Sequence, residues 1–310
     1  MEGGNVTTRF APSPNGELHV GHAYSAVFSE RWARARGGRF LLRIEDIDFT
    51  RAREAFVEGI LRDLKWLGLS WEEPVRRQSR HMEEYRDRLS QLREMGLVYP
   101  CFCSRREIHE EVKRRGASWP RDPEGRPLYP GTCRDMDAGE RRERLERGEP
   151  HAWRLDMAAA AALAERIAGG GLSWREEGAG PAGETGEVRC DPRVWGDVIV
   201  GRKDIGVSYH LAVVHDDALQ EVTHVTRGQD LFHATAVHRL LQVLFGLPAP
   251  VYVHHRLITD ADGRKLSKRF RDRSLRSLRE EGVSPAALLE ALGLPPAQGL
   301  VSNNPRGPGG

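Results

Sequence analysis

Apolar positions along the first part of the chain switch between a strand-like and a helix-like pattern. Residues 6–10 (VTTRF) read as a short strand, and the following APSPNGELH segment is a turn rich in Pro and Gly. VGHAYSAVFSERWARARG then reads as a helix with Ala23, Ala26, Val27 and Ala33 on its buried side. Gly37 and Gly38 end that helix, and residues 40–44 return to a strand, which makes a βαβ beginning. Helices are predicted over residues 52–67 and 79–95. Further on, VWGDVIVG, SYHLAVVHDD, VTHVTRG and VYVHH read as strands, with a helix over 234–245 between the last two. A short helix over 284–292 closes the pattern, and the final PPAQGLVSNNPRGPGG is expected to be disordered.

Two stretches break this α/β rhythm. Residues 101–133 are rich in Arg, Pro and Gly and poor in apolar side chains, so they read as an excursion that needs a staple. Residues 158–190 combine an Ala-rich run with GGG and EEGAGPAGETG, and read as an irregular, partly mobile loop without chemistry. The sheet is expected to be split by these segments.

Length and composition support a folded core, since 310 residues exceed one typical domain and 39% are hydrophobic. With 30% charged residues and a mean hydropathy of −0.55 the surface is very polar. The 47 Lys and Arg nearly balance 45 Asp and Glu, so net charge alone does not imply a nucleic-acid partner. Basic clusters at Arg105–Arg106, Lys113–Arg115 and Arg141–Arg142, with Arg144 and Arg147, fit phosphate contacts and solvated helix faces equally well. No charged segment followed by an apolar stretch opens the chain, and no run of about 18 apolar residues occurs. A cytoplasmic location follows as an expectation. Cysteines at 101, 103, 133 and 190 are too few for a disulfide framework; the first three suggest a metal and Cys190 a bystander.

Chemistry concentrates where the first strand turns into the first helix, at His19-Val20-Gly21-His22. In an open α/β sheet ligands bind beyond the carboxyl ends of strands, and helix N-termini favour phosphate. Gly21 lets the backbone approach a nucleotide, and His19 and His22 can donate to phosphate oxygens. Taken alone, the tetrapeptide fits two ordinary polar histidines as well. Lys265-Leu266-Ser267-Lys268-Arg269 carries three cations that can neutralise a triphosphate; alone, it is an ordinary basic loop.

Together RFAPSPNGELHVGH, LLRIEDID, SYHLAVV, HVTRGQDL and KLSKR resemble the catalytic core of the glutamyl-tRNA synthetases over residues 8–269. Leu266 and Arg269 in the second signature and Ile47 in the acidic block depart mildly from the family's usual forms, without removing a needed charge. The resemblance implies a Rossmann-like class I synthetase core with inserted zinc-binding and connective segments. It implies residues 1–100 as the first half of the nucleotide-binding catalytic domain and 101–190 as an inserted zinc-binding and acceptor-like subdomain. Residues 191–275 then form the second half, and 276–310 a short helix and tail. His19, His22 and Lys268 are implied as catalytic, with Gly21 and Lys265 joining them on ATP, and Mg²⁺ arriving with the triphosphate. Arg9, Ser13, Glu45, Tyr209 and Arg227 are implied as the glutamate pocket. Which arginine takes which carboxylate stays open. Ion pairs of Glu45 with Arg43 or Arg51, and of Arg227 with Asp230, are the ordinary alternatives.

For the metal, Cys101, Cys103 and Cys133 leave one of zinc's four positions to fill. The family branch with Cys-x-Cys followed by Tyr-x-x-x-Cys implies Tyr129, with His109 or water in reserve. Too few residues follow Arg269 for the helical anticodon-reading domain of full glutamyl-tRNA synthetases, which draws the resemblance toward their truncated branch, the glutamyl-queuosine tRNA(Asp) synthetases. The expected activity is glutamate activation by ATP without tRNA, then transfer to queuosine in tRNA(Asp), by a monomer. Ordinary charging of a tRNA 3′ end and an inactive tRNA-binding protein are the competing readings.

Overall fold

A computed structural model describes residues 6–258 and 273–294. All four residues of β1 (Thr7–Phe10) are buried, as a strand covered on both faces requires. The chain crosses through α1 (Val20–Arg34) to β2 (Arg39–Ile44), parallel to β1 with Arg9 opposite Leu41. It continues through α2 (Glu54–Trp66) to β3 (Glu72–Arg77), which is parallel to β2. Phe10, Val27, Phe40, Leu42, Ile60 and Leu64 form the core of this half.

A second parallel set completes the α/β architecture. β9 (His224–Gly228) and β10 (Val251–His255) pair in parallel, joined by α8 (Thr235–Leu244), and β6 (Leu172–Glu176) lies parallel to β10 on its other side. β7 (Gly186–Cys190) adds antiparallel to β6. The halves join where the Thr223 N–H donates to the Thr7 carbonyl at 3.0 Å. A separate antiparallel sheet, β4 (Val98–Cys101), β5 (Ala152–Leu155) and β8 (Ile199–Gly201), carries the excursion, which holds α4 (Arg105–Arg115) and α5 (Ala138–Glu146). α9 (Leu275–Glu280) and α10 (Pro285–Ala291) bring Leu275, Leu278, Leu288 and Leu289 back onto the first-half core.

Three sequence expectations change. SYHLAVVHDD is not a strand but most of α7 (Tyr209–Leu219), packed beside α8 and α3 (Met82–Glu94). Its Leu211, Ala212, Val213, Val214, Asp216 and Asp217 are all buried, and a segment covered on nearly every side shows no period to separate helix from strand. VWGDVIVG supplies only the three residues of β8, after a 3₁₀ turn at Pro192–Trp195. Residues 158–190 are not an irregular loop. The Ala run forms α6 (Met157–Ala168), capped by Asp156 through the Ala159 N–H and ended at Gly169 in the left-handed region, and β6 and β7 follow as a hairpin. The last part of the 101–190 segment therefore belongs to the sheet of the second half. The expected disorder of 295–310 concerns residues outside those described.

Candidate active site

The carboxyl ends of β1 and β9 open onto a cleft of about 720 Å³. Arg9, Ser13, His19, Gly21, His22, Glu45, Tyr209 and Arg227 all line it, so every candidate for the amino acid and the first nucleotide signature share one space.

His19 and His22 cap α1 reciprocally. The Gly21 N–H donates to His19 Nδ1 at 3.1 Å, and the His19 N–H donates to His22 Nδ1 at 3.2 Å. Both Nδ1 atoms act as acceptors, which puts the proton of each neutral ring on Nε2. Burial and the neighbouring His19 lower the His22 pKa to about 4. His22 therefore presents a neutral Nε2–H beside a helix N-terminus, a fitting arrangement for phosphate oxygens. Gly21 also serves the cap itself, since a Cβ there would stand 3.0 Å from His19 Cε1.

Below this pair lies a buried charge array. Arg9 donates Nε and Nη2 to the Asp217 carboxylate at 3.0 and 3.3 Å and Nη1 to the Thr226 carbonyl at 3.2 Å. Its side-on fork is thus occupied by Asp217, which leaves only its remaining N–H groups able to meet a ligand carboxylate. Arg43 donates to Asp217 at 2.7 Å and to Glu45 Oε1 at 3.0 Å. The Glu45–Arg43 pair exists, yet Glu45 also lines the cleft; burial, partly offset by Arg43 and Arg9, raises its pKa. An incoming ammonium compensates such a carboxylate. Burial, then Glu45, pushes the Tyr209 phenol up to about 12, so it stays a hydroxyl donor.

Arg227 has a different environment. Its Nε donates to His254 Nε2 at 3.0 Å, Nη1 to His238 Nδ1 at 3.1 Å and Nη2 to Thr235 Oγ1 at 2.6 Å. The Arg227–Asp230 alternative is not formed: among the described residues Arg227 makes no ion pair. Burial lowers His254 to about 4 and His238 well below the ordinary histidine value.

Lys265 and Lys268 lie outside the described residues. The flanks of their segment do reach the cleft: Leu257 and Ile258 line it, and Ser274 forms a β-bridge with His19.

The cysteine trio converges at the edge of the excursion. Cys101, Cys103 and Cys133 place their sulfurs within 4.8 Å of one another, with 3.3 Å between Cys103 and Cys133. The Tyr129 hydroxyl stands 3.4 Å from Cys101 Sγ and 3.6 Å from Cys103 Sγ, and accepts the Cys133 N–H at 2.9 Å. Hydrogen bonding to Cys133 and burial push the Cys101 thiol up, and burial does the same to Cys103, so the cluster carries three thiolates only with a cation among them. The donor set fits a thiophilic metal. His109 is exposed on α4 and stands outside the cluster, and Cys190 lies apart, its thiol pushed up to about 11 by burial.

The family model for tRNA synthetases class I (E and Q), catalytic domain, matches residues 5–298. The chain belongs to the class I tRNA synthetases. Among its relatives in that family, a Glutamyl-Q tRNA(Asp) synthetase of Rhodobacter capsulatus is 46% identical over 93% of this chain and 100% of its own length. One of Nocardia farcinica is 39% identical over 93% of this chain and 85% of its own. A crystal structure of a glutamate tRNA ligase from Elizabethkingia meningosepticum, in complex with its amino acid, matches with a TM-score of 0.66 and 26% identity. It covers 82% of this chain, which spans about half of that ligase.

Several residues of this class I site escape a reading of motifs. Asp217 and Arg43 sit within recognised segments, but only the fold shows that they share a charge with Arg9. His254 belonged to a recognised strand run and Glu176 to the stretch read as a loop; no sequence signal joins them across 78 positions.

Proposed function

We propose that this synthetase activates L-glutamate with ATP as glutamyl adenylate, without needing tRNA, and transfers the glutamate to the queuosine base in the anticodon of tRNA(Asp). What carries the reading is a cleft with two arginines, one carboxylate and a capped histidine pair, in a chain matching a Glutamyl-Q tRNA(Asp) synthetase over that relative's whole length.

The substrate carboxylate is already ionised and attacks the α-phosphate in line, so positioning and charge neutralisation dominate. Arg9 and Arg227 receive the two carboxylates, Glu45 takes the ammonium, and Ser13 and Tyr209 add hydrogen bonds. His19, Gly21 and His22 meet the phosphates, Lys265 and Lys268 supply further cations, and Mg²⁺ arrives with ATP. Cys101, Cys103, Cys133 and Tyr129 hold one structural zinc; its role is to staple the excursion. A monomer in the cytoplasm is the working form. Among the described residues no helix is long and apolar enough to cross a membrane.

The test offers labelled glutamate and ATP with purified tRNA(Asp), with and without queuosine, each also lacking its 3′-terminal adenosine. Label is expected on both queuosine-containing forms and neither unmodified one. Label on tRNA(Glu), lost with the terminal adenosine, would establish ordinary 3′-end charging instead.

A further inference from the structure

We propose that Glu176 and His254 are positioning residues of the amino-acid site: they hold the Arg227 guanidinium through one fixed histidine tautomer, so that it meets a substrate carboxylate with its charge unneutralised. The proposal rests on the reading that Arg227 binds a carboxylate of the amino acid.

The tautomer follows from hydrogen-bond direction. Arg227 Nε–H can only donate, so His254 Nε2, 3.0 Å away, must accept. Neutral His254 then carries its proton on Nδ1, which donates to Glu176 Oε2 at 2.6 Å. Glu176 Oε1 is committed elsewhere, accepting the backbone N–H groups of His254 and Gly178, each at 2.9 Å. A second arm has the same logic. Arg227 Nη1 donates to His238 Nδ1, leaving the His238 proton on Nε2 to be donated to His210 Nδ1 at 3.1 Å.

All three acceptors on Arg227, His254, His238 and Thr235, are uncharged. Arg9, by contrast, spends its fork on Asp217. A carboxylate placed directly on Arg227 would compete with the substrate for the cation. Set one imidazole away, Glu176 orients the ring and leaves the cation to the ligand.

Glu176 also ties β6 to β10, so a purely structural role must be separated from a positioning one. Glu176→Gln does this. Two backbone donors require the amide oxygen at the Oε1 position, which points the new NH₂ group at His254 Nδ1 and gives up only the long 3.3 Å bond that Oε2 accepts from Trp174 Nε1. The ring then moves its proton to Nε2, where it opposes Arg227 Nε–H. In glutamate-dependent exchange of pyrophosphate into ATP, the KM for glutamate should rise on the order of tenfold. The KM for ATP should stay within about twofold. Nitrogen-15 shifts should show His254 protonated on Nδ1 in the wild type and on Nε2 in the variant.

A wild-type His254 protonated on Nε2 overturns the proposal, and needs no variant to be seen. So does a variant with an inverted tautomer and unchanged glutamate KM, or one in which both KM values rise together. Wild-type protein without glutamate-dependent exchange would instead defeat the functional reading, leaving the tautomer result to stand by itself.

Discussion

Arg43 donates from Nη1 to Asp217 Oδ1 at 2.7 Å across 174 positions of sequence, joining β2 to α7 behind the cleft. Asp217 also takes the fork of Arg9, so one buried carboxylate serves two buried guanidinium groups. Removing one partner of such an array leaves an uncompensated charge in the interior.

Asp217→Asn should therefore lower unfolding free energy by about 3–5 kcal/mol, seen as a reduced urea midpoint with unchanged slope. Burial pulls the Asp217 carboxyl up, but Arg9 and Arg43 outweigh it and hold its pKa below the ordinary value. Its contribution is thus complete above about pH 4 and declines as pH falls through the lowered folded pKa. The acid limb of the stability curve should flatten in the variant. A change within about 0.5 kcal/mol would show that the arginines find other compensation.

His22 titrates near pH 4 in the folded chain, lowered by burial and by His19, against an ordinary value near 6.5. Between these values the unfolded state binds more protons, so the stability contributed by neutral His22 is complete above about pH 6.5 and is lost toward pH 4. Its Nδ1 accepts the cap bond, so the same protonation breaks the cap. The imidazole proton resonance of His22 should show no step near pH 6.5. A midpoint above 6 would contradict the reciprocal cap.

Metal analysis of protein prepared without chelator should find about one zinc per chain. Tyr129→Phe keeps the three thiols and removes the oxygen among them, so it should retain zinc but release it faster to a chelator. A zinc content near zero in the unmodified chain would remove the metal from this site.

Arg227→Ala should reduce glutamate-dependent pyrophosphate exchange on the order of a hundredfold or more, with the far-ultraviolet spectrum unchanged. Near-normal exchange would take Arg227 out of the pocket.

The first crossover was legible because its signals are local: Gly37 and Gly38 end α1, and HVGH lies at the strand-to-helix turn where the cleft opens. The residues proposed to bind glutamate came from motif resemblance, and the fold brings Arg9, Ser13, Glu45, Tyr209 and Arg227 to one cleft. α7 was misread because a helix buried on most sides has lost the polar face that reveals its period. The β6–β7 hairpin was hidden by glycines, which suit its turn but resemble a linker. Glu176 and His254 meet only through the parallel β6–β10 contact, which no local pattern encodes.

The join between Thr7 and Thr223 also bears on how the chain is made. Arg9 emerges early from the ribosome, and its counter-charge Asp217 follows 208 positions later, about 10–40 s at ordinary elongation rates. During that interval the first half can gather its apolar side chains, with Arg43 paired to Glu45, but Arg9 still lacks the carboxylate it is buried against. The nascent first half is thus kept from sealing prematurely, and the cleft is finished only when the second set of strands arrives.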